Sequence, residues 1–180
     1  MSHSLAGEPP AAGRRAAPLT TAVYSATEWD LLTRLPGRVV VATTVPLPGR
    51  EPRDVVAGLA GLEAVAAGRA FDSDLVRAVV ATIYARHDEP TTVPTGAAGR
   101  GRRGIRSNRS GYVDPVDVLT DCRVAARVLR RRADPADSAA YRQWVQSIAA
   151  RVCRAGPADP AVSPVDRRYL EQLGGALGLR

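Results

Sequence analysis

At 180 residues with 45% apolar side chains, the chain can bury one core without disulfides or a structural metal, and it is too apolar to be disordered throughout. Its formal charge of +7 comes from 25 arginines, with no lysine, against 18 acids. With abundant Ala, Gly and Pro, that usage reads as coding bias more than as a nucleic-acid footprint. One Phe, two Trp and five Tyr require an aliphatic core, and the most apolar run, Val39–Leu47, is about half the ~20 residues of a membrane span.

In chain order, residues 1–24 are small, polar and Pro-containing and read as a disordered tail. Arg14-Arg15 lacks the apolar stretch that a twin-arginine export signal needs after it. The first helix signal is Ser25-Ala26-Thr27-Glu28, a capping box, with Trp29, Leu32 and Leu35 behind it on one face. Pro36 then kinks that helix or starts a new segment. The β-branched stretch Arg38–Val45 suits a strand by propensity. It is assigned to helix because one strand without a partner cannot satisfy its backbone.

The next helix begins near Pro52 and places Val55, Val56, Leu59, Leu62, Val65 and Ala66 at helical spacing, with Gly58 and Gly61 permitting close packing and Gly68 as C-cap. Asp72 and Ser73 cap a third helix, whose stripe Leu75, Val76, Val79, Val80, Ile83 and Tyr84 is the clearest in the chain. Residues 87–112 break the pattern with Pro90, Pro94 and five glycines, a flexible insert of 26 residues.

The second half is anchored by Asp114-Pro115-Val116-Asp117, Asp134-Pro135-Ala136-Asp137 and Ser163-Pro164-Val165-Asp166. In each, an oxygen accepts from an unpaired helix N–H, Pro loses no bond at the first helical position, and an acid meets the positive end of the dipole. The fold expected is all-α: an irregular bundle of six or seven helices in one domain over residues 25–180, in two halves joined by the Gly/Arg-rich insert.

Cys122 lies 11 residues before a turn at Ala133 and Cys153 lies 20 after it. That offset is roughly 13 Å along antiparallel helices, beyond the roughly 7 Å that a disulfide spans. Two reduced thiols and no export signal point to the cytoplasm.

Five arginines of the insert, Arg100, Arg102, Arg103, Arg106 and Arg109, could neutralise phosphates as a nucleic-acid arm. No aromatic residue interleaves them as a stacking platform, and a solvated linker has the same composition. Asp72 and Asp74 could contact a divalent cation, the one cofactor the sequence leaves open. They supply two or three of the roughly six oxygens that calcium takes, and capping explains acids at a helix start. Arg130-Arg131-Arg132 sits in a last helical turn, where cations meet the negative end of the dipole. Neither a G-x-S-x-G elbow nor a P-loop is present. A small helical enzyme of a specialised pathway would have to draw on Glu28, Asp72, Tyr84, His87 and Tyr141, and the sequence leans away from catalysis.

The stretch Val162-Ser163-Pro164-Val165-Asp166-Arg167-Arg168-Tyr169-Leu170 through Gly174-Gly175-Ala176-Leu177-Gly178-Leu179 resembles the last helix of TerB-like proteins, the helical family named for tellurite resistance. The resemblance covers about a tenth of the chain. It implies an all-helical fold and a stress-response role with acidic positions that bind cations, of which Asp166 alone has a match here. Residues 24–86 are also similar in general character to actinobacterial helical proteins of no assigned activity. The function expected is a non-catalytic interaction or accessory protein that works through a protein partner.

Overall fold

The computed structural model describes residues 21–46, 53, 55–88, 113–155 and 162–179. Six helices form in chain order: α1 (Ala26–Thr44), α2 (Val55–Ala67), α3 (Asp74–Asp88), α4 (Pro115–Arg132), α5 (Pro135–Arg154) and α6 (Pro164–Leu177). No strand occurs among the described residues, so the all-helical expectation holds. A 3₁₀ turn at Thr21–Val23 precedes α1, and Tyr24 is buried with its ring 5.6 Å from that of Trp29. Folded chain therefore starts earlier than the tail boundary drawn from composition.

The N-caps expected at Ser25, Ser73, Asp114, Asp134 and Ser163 form. The Ser25 hydroxyl accepts from the Glu28 amide at 3.2 Å while the Glu28 carboxylate accepts from the Ser25 amide at 2.9 Å. Asp114 and Asp134 each accept at 2.8 Å from the second residue after them, and Ser163 accepts from the Asp166 amide at 3.1 Å. Ser73 caps α3 through the Val76 amide.

Helix α5 packs against all five others. Ser138, Tyr141, Trp144, Val145, Ile148, Ala149, Val152 and Cys153 are buried on it, a stripe wider than the roughly 100° of a surface helix. The helices on either side of the insert do not form separate layers: α1 packs on α4 and α5, α2 on α5, and one apolar cluster joins them. The two halves expected from sequence are thus halves of the chain, not of the space it fills.

Pro36 neither ends α1 nor starts a new segment; the helix continues through it to Thr44. Proline has no N–H for the carbonyl four residues back, which leaves the Leu32 oxygen without its helical donor. The Tyr141 hydroxyl donates to that oxygen at 2.7 Å, and the ring lies wholly inside the core. The β-branched run after Pro36 is helical because Val39, Val40, Ala42 and Thr43 are buried, and the Thr43 hydroxyl donates to the Val39 carbonyl at 2.7 Å.

Helix α2 reverses the expected packing. Its buried face is Ala57, Gly61 and Val65, continued by Gly68. Of the large residues placed at helical spacing, Val65 is buried, whereas Val55, Val56, Leu59 and Leu62 are 77%, 60%, 53% and 56% exposed. The cause is close approach. A methyl group on Gly61 would stand 2.7 Å from Val152 Cγ2 and 2.9 Å from Val40 Cγ1, and one on Gly68 would stand 2.8 Å from the Trp144 indole. Large side chains on that face would hold α2 away from α5. Gly68 is not a left-handed cap; it opens a 3₁₀ turn, and the positive-φ glycine among the described residues is Gly178, after α6.

Two outcomes are expected in denaturant unfolding. Gly61→Ala should lose about 1–3 kcal/mol through overpacking, while Gly58→Ala, whose added methyl meets nothing within 4 Å, should gain about 0.4–1 kcal/mol. Tyr141→Phe should cost about 1–3 kcal/mol by leaving the Leu32 carbonyl unsatisfied. Burial raises the Tyr141 hydroxyl well above the ordinary tyrosine value of 10.0. The native state keeps this proton where the unfolded chain releases it, so its contribution is intact below pH 10 and is lost as pH rises from there toward the native value. Stability measured from pH 8 to 11 should therefore fall less steeply in Tyr141→Phe.

Candidate functional site

The arginines nominated for nucleic acid, Arg100, Arg102, Arg103, Arg106 and Arg109, lie outside the described residues. The other nominated side chains are dispersed. Asp72 is exposed, and Asp74, at the start of α3, is held by Arg77 in an ion pair. Among the described residues no three His, Cys, Asp or Glu side chains converge on a point. Glu28 is engaged by its capping box and by Arg131 and Arg132 at 3.6 and 3.7 Å, so the basic end of α4 clasps the acidic start of α1. Its pKa is lowered, first by the Ser25 backbone hydrogen bond. The Arg69 guanidinium lies 3.9 Å from the centre of the Tyr84 ring. Tyr141 supports Leu32, and the His87 side chain lies outside the described set.

Cys122 and Cys153 are buried and form no disulfide. Burial, with Asp121 second, pushes the Cys122 thiol up to about 12, the opposite of an activated nucleophile. Asp166, the acid matched by the family resemblance, is engaged by Arg53 in a buried ion pair and by the Ser163 hydroxyl at 2.8 Å. The same guanidinium donates to the Val152 and Cys153 carbonyls at 2.9 and 3.2 Å. It thereby ties the C-terminal carbonyls of α5 to the first turn of α6, positions where a cation and an acid each meet the favourable end of a helix dipole.

What the structure brings together was not nominated from sequence. The exposed aliphatic face of α2 runs through Val55, Leu59 and Leu62, one stripe at helical spacing, with Val56 beside it. Leu62 is also the edge of a groove between α1, α2 and α3, with a volume of about 400 Å³. Gly37, Val41, Leu62, Val65, Ile83 and Val113 give it an apolar lining. Arg34, Arg38 and Arg86 line it as well. Arg38 pairs with Asp121, whereas Asp30 serves two guanidinium groups, Arg34 at 2.8 Å and Arg86 at 3.1 Å.

A signal for this surface existed in the sequence. Ala57, Gly61, Ala64 or Val65, and Gly68 recur at helical spacing, a stripe of small residues opposite the large ones. Glu63 is the single charge of α2, so hydropathy cannot tell its faces apart.

Arg53→Met removes the guanidinium from a buried acid and from two helix-end carbonyls. It should lower unfolding free energy by about 3 kcal/mol, with part recovered by adding Asp166→Asn; urea titration of the single and double variants checks this. Comparison of the chain with family models, with curated proteins and with solved structures finds no match to any of them.

Proposed function

We propose that the protein is a non-catalytic helical interaction protein that docks a partner polypeptide through the exposed aliphatic face of α2. The observation that carries this reading is the exposure of Val55, Val56, Leu59 and Leu62, four large aliphatic side chains on one helix, each more than half in solvent. Contiguous exposed apolar surface of this kind marks interaction sites in folded proteins. The helix can afford it because its small-residue face, through Gly61 and Ala57, already holds it to α5 and α1. The resemblance of residues 162–179 to TerB-like proteins belongs to the same proposal: an accessory protein of stress response, built of helices and working by contact. No helix among the described residues is long and apolar enough to cross a membrane.

The test is a Leu59→Asp/Leu62→Asp double variant. Both side chains are exposed, so circular dichroism should show unchanged helicity and a melting temperature shifted by little. Tagged wild type and variant are recovered from the native host, and co-purifying proteins are quantified, with light scattering on each to read self-association. At least one partner, or self-association, should fall by tenfold or more in the variant, the effect of losing about 1.4 kcal/mol. Identical partner sets and an unchanged monomer would end this reading.

A further inference from the structure

The groove between α1, α2 and α3 has a feature that the core packing does not require. Gly37 stands in the middle of α1, directly after Pro36, where glycine costs about 1 kcal/mol of helix propensity relative to alanine. Its backbone is not in the left-handed region, and a methyl group there would meet nothing within 4 Å. Neither conformation nor close packing accounts for the glycine. What it leaves open is space, and Gly37 lines the groove.

The volume, about 400 Å³, falls within the range of about 300–1,000 Å³ typical of small-molecule sites, which are apolar clefts with a few polar groups that fix orientation. The Thr33 hydroxyl is taken up by the Trp29 and Asp30 carbonyls, and the charged groups of the lining are guanidinium. Among the described residues, Arg34, Arg38 and Arg86 pair with two carboxylates, Asp121 and the shared Asp30, which leaves one positive charge in excess in this set. A monocarboxylate balances that excess, and guanidinium binds a carboxylate through parallel hydrogen bonds. A phosphate monoester, with charge near −2, overshoots it.

We infer that this groove binds a small amphiphilic carboxylate, an acyl or aryl acid whose apolar end lies among Val41, Leu62 and Ile83 and whose carboxylate is taken by Arg34 and Arg86. This goes beyond the docking reading and stands on separate residues, except Leu62, which the test leaves unchanged.

The full chain is titrated calorimetrically with sodium octanoate and, separately, with uncharged octanamide. Octanoate should bind at one site per chain, and octanamide about tenfold more weakly, the effect of one charge-assisted hydrogen bond. In Arg34→Gln/Arg86→Gln, which alters two exposed side chains, octanoate should fall to the affinity of octanamide. Gly37→Leu fills the groove with a better helix former; it should melt at a higher temperature than wild type and bind neither probe. Absence of octanoate binding to wild type would overturn the inference. So would equal binding of both probes by wild type, or octanoate binding undiminished in the arginine double variant. Failure of the Leu59→Asp/Leu62→Asp partner experiment would leave this result untouched, since every chain titrated here keeps Leu59 and Leu62.

Discussion

One hydrogen bond ties α1 to α5 at the break that Pro36 makes in the helix ladder. Proline at position 36 deprives the Leu32 carbonyl of its partner inside a helix that must continue, and the Tyr141 hydroxyl supplies the missing donor at 2.7 Å. The bond fixes the register of α1 against α5, and α5 is the helix on which all others rest. From there the packing follows. Trp144, one turn along, sets its edge against Tyr141 and donates its indole N–H to the Ala64 carbonyl at 3.1 Å, which places α2. Ser73 donates to Asp137 at 2.6 Å and places the start of α3 against the start of α5. Arg142 donates to the Gly178 carbonyl at 3.2 Å and closes the end of α6. A helix with a wide apolar stripe has few independent ways to settle, and side chains along α5 specify α1, α2, α3 and α6 by directional bonds.

The surface properties follow from the same constraint. To reach α5, α2 must present its smallest side chains, because Trp144 and Val152 already occupy the space. Its large aliphatic residues are then left in solvent, and the groove beside them remains where α1 carries Gly37, which has no side chain. The exposed aliphatic face and the groove are both by-products of how tightly α2 is drawn onto the bundle. A sequence with larger residues at positions 61 and 68 would move α2 outward and reshape both.

The sequence discloses its caps and its second half most clearly. Ser25, Asp114, Asp134 and Ser163 act through the two or three residues that follow them, and interactions of such short range are readable from a string. The stripe of α3 also falls where its periodicity puts it, with Leu75, Val76, Val79 and Val80 buried. Helix α2 does not, because its hydropathy is nearly uniform and the deciding factor, steric fit against Val152 and Trp144, lies about eighty or ninety residues away in the chain. The continuation of α1 through Pro36 is hidden for a similar reason: its rescue comes from Tyr141, 109 residues beyond the Leu32 carbonyl it serves. The groove draws on α1, α2, α3 and Val113, none of which carries a motif on its own. Among the charges, the Arg53–Asp166 pair was equally invisible, since capping alone explains the aspartate until the fold brings the arginine to it.

The burial of the two cysteines turns them into a pair of clocks. Cys122 sits fully inside the core on α4, and Cys153 sits at the end of α5, where its own carbonyl is held by Arg53. A thiol reagent can reach either only when the structure around it opens, so its labelling rate counts openings rather than surface reactivity. The two residues keep different time. Fraying of the last turn of α5 would expose Cys153 and leave Cys122 covered, whereas Cys122 waits for the bundle itself to part. The ratio of their rates therefore measures how far the end held by Arg53 moves independently of the centre held by Tyr141.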